Sequence, residues 1–279
     1  MIVVTGATGQ LGRLVIAALR ERGAAVTAAV RDLDKAADLG VPARLADYDR
    51  PETLAAAFEG ATRVLLISGT DPNRAEQHRA VVDAAQAAGV ELLAYTSVLG
   101  APTSTLGVAP DHVATEAHIR ASGVPFAFLR NGWYHENYDQ TARQAAGSGV
   151  LAGAAGNGLV ASASRADYAE AAAVVLTGDG FANTVHELSG DTAWAMPELA
   201  DAIASAAGTG VVYRDLPLAE HRASLVAAGL PEPVADFVSG IDASIARGDL
   251  AATPGELGAL IGRPTTPLRE SIATALKQA

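Results

Sequence analysis

The chain contains no cysteine, which removes disulfide frameworks, thiolate zinc sites and thiol nucleophiles together. Lysine is almost as scarce, with Lys35 and Lys277 the only two. Basic residues number 20 against 31 acidic ones, a formal net charge of −11, and no basic run occurs. Such a surface repels phosphate backbones, so nucleic acid is not expected as a partner. Also missing is the long unbroken apolar segment that a membrane helix requires, and no membrane partner is expected. The first apolar run, Ile2 to Val4, has neither a basic stretch before it nor a small-residue cleavage site after it, which makes a cytoplasmic protein the expectation. At 279 residues, the chain can bury a core without metal or disulfide staples.

What is present alternates. MIVVT is followed by a helical stretch with Leu11, Leu14, Val15, Ala18 and Leu19 on one face, then by AAVTAAV, which is the pattern of a βαβ unit. ARLADY, a helix opened by Pro51, RVLLIS, a helix over Arg74 to Ala88, ELLAYTS, a helix from Asp111 and PFAFLRN continue it. Short connections and right-handed crossovers then predict an α/β fold, a doubly wound parallel (Rossmann) sheet over residues 1–150 with strand order 3-2-1-4-5-6. Beyond Gly149 the rhythm changes: a glycine-rich loop (GAAGNG), a capped helix from about Arg165, the strand TVHELSG, a helix near Pro197, the strand GVVYRDL and further helices. Residues 151–279 are expected to form a smaller α+β lobe that binds substrate and partly completes the sheet.

Gly6, Gly9 and Gly12 lie three apart, after a strand and at a helix start. There, missing side chains let the backbone turn and approach a pyrophosphate, whose charge meets the helix N-terminus. The second strand ends at Val30-Arg31-Asp32, where the adenosine ribose is read. Arg31 would pair with a 2′-phosphate and select NADPH; Asp32 would bind the ribose hydroxyls of NADH. Arg31 comes first and favours NADPH, with NADH left open. Asp47 is either an adenine-edge residue or a turn-former. Ser68, Gly69 and Thr70 end the fourth strand and Thr96 and Ser97 the fifth, at the carboxyl side where such sheets bind ligands. Arg74 is a phosphate contact or a solvated helix residue.

The glycine loop, AYTS, LRNGWYHENY (Leu129 to Tyr138), SASRADYA (Ser162 to Ala169) and LIGRPTTPL (Leu260 to Leu268) together resemble the atypical, NmrA-like short-chain dehydrogenase/reductases. Within them the likeness is to the bacterial NAD(P)H:quinone oxidoreductases of type 2. It spans nearly the whole chain. It implies an NADPH-dependent reductase of a small quinone-like acceptor, working without metal or flavin. It further implies cofactor contacts from Gly6, Ala7, Thr8, Gly9, Gln10, Leu11, Arg31 and the run Gly132, Trp133, Tyr134, His135, Glu136 and Asn137. NmrA-like proteins can also be non-enzymatic redox sensors, and another electron-poor conjugated acceptor, such as a triphenylmethane dye, is a further alternative. A homodimer stays open.

Most short-chain reductases protonate a carbonyl oxygen with Tyr-x-x-x-Lys. Here neither lysine has a tyrosine four residues before it, and no tyrosine lies between Tyr95 and Tyr134. The corresponding positions are Val108 and His112, so His112 is the one candidate acid. Ordinary ketones, whose alkoxides need a proton in the transition state, are disfavoured. A quinone yields a phenolate closer in basicity to tyrosine, with a pKa of about 10, which solvent can protonate. His112, Glu116 and His118 do not converge on a helical wheel, so no metal is expected. His78 reads as a packed or capping residue. Ser97 with His112 lacks the G-x-S-x-G elbow of a hydrolase. Trp133, Tyr134 and Tyr138 either stack on a flat ligand or pack the lobe.

Overall fold

The computed structural model describes residues 1–277, leaving residues 278 and 279 of the expected lobe outside the description. The elements run β1 (Ile2–Thr5), α1 (Gln10–Glu21), β2 (Val26–Val30), β3 (Ala43–Leu45), α2 (Glu52–Ala57), β4 (Arg63–Leu66), α3 (Arg74–Ala87), β5 (Leu92–Val98), α4 (Ala109–Ser122) and β6 (Phe126–Asn131). They continue with α5 (Asp139–Ser148), β7 (Val150–Gly153), β8 (Leu159–Val160), α6 (Arg165–Thr177), β9 (Thr184–Leu188), β10 (Trp194–Ala195) and α7 (Met196–Ala207). The chain finishes with β11 (Val212–Asp215), α8 (Leu218–Ala227), α9 (Glu232–Arg247), α10 (Glu256–Ile261) and α11 (Leu268–Lys277).

The main sheet has the order β3-β2-β1-β4-β5-β6-β9, which is the expected 3-2-1-4-5-6 with one strand added. All its pairings are parallel. β1 and β5 are buried along their whole length, as strands covered on both faces must be. One face carries α1 and α6 and the other α2, α3 and α4, each with its own apolar core. Ser164 starts α6 by accepting the Asp167 N–H at 3.1 Å, an N-cap that satisfies an otherwise unpaired helix-end donor.

In α1 the buried face is Leu11, Gly12, Val15, Ile16 and Leu19. Leu14 turns outward, against the expectation, because α6 packs along the flank of α1 and draws Ile16 in. Four of the five alanines of α6 (Ala169, Ala171, Ala172, Ala173) are buried, and Ala166 is exposed. Full burial of a side chain such as Leu19 contributes roughly 1.5–3 kcal/mol.

The chain leaves the sheet after β6, builds α5, β7 and β8, and returns as α6 and β9 before completing the lobe. A third core, including Leu151, Val160, Trp194, Leu199 and Ile245, lies in that lobe. Two small sheets, β10 with β8 and β11 with β7, brace it. No helix of the described residues is long and apolar enough to cross a membrane.

Candidate active site

Two adjoining cavities open at the carboxyl end of the sheet, of about 1000 Å³ and about 710 Å³. Gly6, Gly9 and Ser68–Thr70 line both, so the glycine loop and the end of β4 form the saddle between them. Gly6 has a φ of +58°, a conformation glycine adopts without strain, and its carbonyl accepts the Gly9 N–H at 3.0 Å. A Cβ on Gly12 would come within 2.7 Å of Ala7 Cα and closer still to the Gly6 carbonyl. Neither a side-chain cap nor an acidic residue occupies the first turn of α1, leaving its N–H groups and positive dipole end for an anion. Gln10 and Leu11 line the larger cavity and Thr8 the smaller, whereas Ala7 is fully buried and lines neither.

Arg31 lines the smaller cavity, 68% exposed and 3.6 Å from Asp71. Asp32 does not line it; its carboxylate accepts the Asp34 N–H at 3.0 Å in a local turn. Asp47 likewise forms a turn, accepting the Asp49 N–H at 3.1 Å. The strand-end loop is held by histidine chemistry: the Gly69 N–H donates to His78 Nε2 at 3.0 Å, and His78 Nδ1 lies 3.0 Å from Thr115 Oγ1. With Nε2 accepting, the proton sits on Nδ1. Burial, then the His112 and Arg74 charges, push His78 down to about 4. Arg74 lines the larger cavity and pairs with Asp111 at 2.6 Å.

Thr96 and Ser97 also line the larger cavity. Thr96 Oγ1 accepts the Ser68 N–H at 2.8 Å, and Ser97 Oγ donates to Glu116 Oε1 at 2.7 Å. Beneath them Arg130 grips Glu116 with two bonds of 2.8 and 2.6 Å and Glu187 with one of 2.7 Å, while Glu187 accepts the Gly100 N–H at 2.8 Å. Burial opposes the Glu116 charge, but the Arg130 and Ser97 bonds outweigh it and hold the carboxyl below its ordinary value. This network ties β5, α4, β6 and β9 together, and sequence reading missed it; the one available signal was a charged residue, Arg130, within an apolar strand.

His112 lines the larger cavity with its Nδ1 2.8 Å from Tyr95 Oη. Burial, then the nearby Arg74 charge, lower it to about 4, so the ring is neutral at pH 7 and is not an imidazolium acid. His118 faces Asp83 at 2.7 Å and Glu116 is committed to Arg130. Among the described residues no three His, Asp or Glu converge as metal ligands.

After β6 the chain divides its side chains. Gly132, Trp133, Tyr134, Asn137 and Tyr138 line the larger cavity. His135 and Glu136 line neither cavity. His135 is buried against α11, its Nδ1 2.9 Å from Ser271 Oγ, and Glu136 accepts the Arg165 N–H at 2.9 Å, capping α6. Both therefore secure the wall from behind. The aromatics pack the lobe, Tyr134 edge-on to Tyr168 and Tyr138 edge-on to Trp194, each at 5.1 Å, and they also line the cavity.

Six buried side-chain atoms lack a partner among the described residues: Arg74 Nε, Gln77 Oε1, Asn131 Oδ1, Trp133 Nε1, Tyr138 Oη and His221 Nδ1. Every one belongs to a residue that lines one of the two cavities. Orphaned buried groups cost about 1–3 kcal/mol each and are rare, so their concentration here fits walls built to meet the polar groups of a ligand. With the glycine saddle and the open helix end, the arrangement fits a dinucleotide spanning both cavities.

Comparison with known proteins agrees with the geometry. Residues 6–179 match a family model described as NAD(P)H-binding. The chain is 45% identical to quinone oxidoreductase 2 of Escherichia coli K12, over 98% of each. The crystal structure of an Escherichia coli NADPH-dependent quinone oxidoreductase complexed with NADPH superposes with a TM-score of 0.95 at 44% identity, covering 99% of this chain and all (100%) of the other. The NADP(H) complex of a triphenylmethane reductase from Citrobacter sp. gives 0.94 at 39% identity, with 99% and 100% covered. The chain belongs to the NAD(P)H-binding family of which quinone oxidoreductase 2 of Escherichia coli is a member.

Proposed function

We propose that the chain is an NADPH-dependent quinone reductase that passes a hydride, two electrons in one step, directly to its acceptor. One observation carries the reading: a single chamber of about 1000 Å³ joins the glycine loop and the end of β6 to an apolar lobe wall, and its histidine at the position of the reductase lysine is neutral. Bound across the saddle, NADPH would supply the hydride. Gly6 to Leu11 and the N-terminus of α1 would take the pyrophosphate, and Arg31 the 2′-phosphate. Asp32 is occupied by its own turn, which supports Arg31 as the residue that reads the ribose. Ser68, Gly69, Thr70 and Ser97 would border the second ribose. Asn131, whose carbonyl oxygen has no partner among the described residues, would take the nicotinamide end together with Gly132, Trp133, Tyr134 and Asn137. His135 and Glu136 act only by holding that wall.

Residues 151–279 contribute the acceptor side, where the walls orient a flat ring and exclude water. The Tyr-x-x-x-Lys pair is absent and His112 is not protonated at pH 7, which favours an acceptor whose reduced anion solvent can protonate. Likeness to the Citrobacter enzyme supports a second acceptor for the same site, a triarylmethyl cation. The test is the absorbance of reduced nicotinamide with NADPH or NADH, with and without 1,4-naphthoquinone. Quinone-dependent oxidation of NADPH is expected, and aliphatic ketones should be poor substrates. Tight NADPH binding without any turnover would instead make the protein a redox sensor.

A further inference from the structure

His112 stands at the join between the sheet and the lobe. Leu106 and Ala109, at the start of α4, are buried in the lobe's core, and Val108 packs against it. Leu106, Val108 and His112 all line the larger cavity, so the first turn of α4 borders the acceptor side. What that turn offers a ligand depends on which ring nitrogen of His112 carries the hydrogen, and the buried groups behind it decide this.

Tyr95 is fully buried, and its Oη lies 2.8 Å from His112 Nδ1 with no other partner among the described residues. Burial raises the phenol above its ordinary value, so it keeps its hydrogen. Thr115, on the same helix, is committed elsewhere: its hydroxyl donates to the Asp111 carbonyl at 2.8 Å and receives from His78 Nδ1 at 3.0 Å, because His78 Nε2 accepts the Gly69 N–H. Were His112 to donate from Nδ1, the Tyr95 hydrogen would be left buried and unpaired, at a cost of about 1–3 kcal/mol. The phenol therefore donates to Nδ1, and the ring hydrogen of His112 sits on Nε2. Nε2 bonds no group among the described residues, and it is not one of the six partnerless atoms shut from solvent. It is open, and it opens on the cavity that His112 lines.

The N–H of a neutral ring accepts nothing; it serves a lone pair. A carbonyl oxygen fits it, and the bond strengthens during reduction, since that oxygen gathers the negative charge of the phenolate. A triarylmethyl cation has no oxygen at the carbon that is reduced. A neutral imidazole polarises an oxygen without protonating it, which agrees with solvent as the source of the proton.

We propose that His112 donates its Nε2–H to the oxygen of the acceptor as charge builds there, with Tyr95 as the positioning residue that fixes the hydrogen on Nε2. The ligand rests on the quinone-reductase reading above; the tautomer does not. His112 keeps its hydrogen throughout: two electrons come with the hydride, and the proton that completes the hydroxyl comes from water.

Two measurements test this, one of them without turnover. With the histidine rings labelled with a heavy nitrogen isotope, NMR at pH 7 should show His112, identified by the signals missing in His112→Gln, as the Nε2–H form. Tyr95→Phe, which leaves Nδ1 without its donor, should turn that signal into a mixture of the two neutral forms. In single turnovers with 1,4-naphthoquinone at saturating NADPH, His112→Leu should slow the loss of nicotinamide absorbance about three- to tenfold, the value of one net hydrogen bond, with NADPH affinity kept. His112→Gln, whose amide N–H can still donate, should restore most of the rate, and Tyr95→Phe should lose part of it. NADPH affinity is the check on folding, and the wild-type tautomer carries the test where a variant does not fold. A wild-type His112 found as Nδ1–H, an unchanged rate in His112→Leu, or a His112→Gln no faster than His112→Leu overturns the donor. A loss of NADPH affinity in His112→Leu with the rate unchanged places the N–H on the cofactor and overturns it too. No turnover with Nε2–H in place sinks the reductase reading and leaves the tautomer standing; turnover with Nδ1–H does the reverse.

Discussion

Replacing Arg31 with alanine should convert a protein that prefers NADPH into one that scarcely distinguishes the two cofactors. The guanidinium lines the smaller cavity at the end of β2, where a 2′-phosphate lies when the pyrophosphate rests on the glycine loop. A hydrogen bond to a charged group contributes about 1.5–3 kcal/mol. Two features of the site reduce that. The side chain is 68% exposed, and it already has a partner in Asp71 at 3.6 Å, an exposed pair worth about 0–1 kcal/mol that the phosphate must replace. A net of about 1–2 kcal/mol remains, which is roughly 5- to 30-fold in the dissociation constant. Titration of NADPH and NADH by cofactor fluorescence should therefore show a loss of that size for NADPH in Arg31→Ala and almost none for NADH. Asp71→Asn, which frees the guanidinium and removes a nearby anion, should tighten NADPH a few-fold. Added salt should narrow the wild-type preference, since the contact is exposed. Equal losses for both cofactors in Arg31→Ala would refute the reasoning and move phosphate selection elsewhere in the smaller cavity.

Gly9→Val should abolish NADPH binding with modest loss of stability, because its Cβ would sit 3.2 Å from the Gly6 carbonyl with its branches in the pyrophosphate space; normal binding would make the loop purely structural. Gly12→Ala should unfold at lower urea than Gly9→Val, since its Cβ collides with backbone, and the reverse order would contradict the packing role. His112→Ala should lower kcat by less than about tenfold and leave no limb near pH 6.5 to lose, against the roughly 10²–10⁴-fold of a lost general acid; a thousandfold loss with NADPH affinity intact would make His112 the acid. Burial holds His78, His112 and His135 at about 4 against 6.5 when unfolded, so between pH 6.5 and 4 the unfolded chain takes up these protons and the folded chain does not. Stability present above pH 6.5 should fall as pH drops toward 4, by up to about 4 kcal/mol per pH unit for three groups, and an unchanged urea midpoint between pH 7 and pH 5 would count against it.

The order of the sheet was legible because each strand carries its own evidence. Runs such as VVT and LLAYTS are apolar on both faces, and a parallel sheet with short connections leaves few topologies. Leu14 was misread for a reason local periodicity cannot contain. A single stripe describes a helix on one surface, but α1 is covered by the sheet and by α6, and α6 arrives from residues 165–177. The same distance in sequence hid the Arg130 network. Local spacing groups Glu116 with its helix neighbours His112 and His118, whereas its partner stands on β6 and the next carboxylate, Glu187, on β9.

In the run from Gly132 to Tyr138, resemblance treated the segment as a unit, yet its last four residues, His135–Tyr138, turn in a short 3-10 helix that presents successive side chains to different sides. His135 and Glu136 went to the α11 contact and to the open N-terminus of α6, each to a definite unsatisfied need. Their neighbours were left to the cavity. A motif read along the chain therefore identifies the wall, and only the placement of α6 and α11 decides which of its residues can touch a ligand. For the tie between Tyr95 and His112 even that partial signal is absent, since one lies inside a strand, β5, and the other on a helix, α4. What brings them together is the packing of α4 against β5. Cofactor binding can be legible in a local motif because backbone N–H groups of one turn perform it. A cavity wall made by side chains from separate elements is legible only after the fold has assembled them.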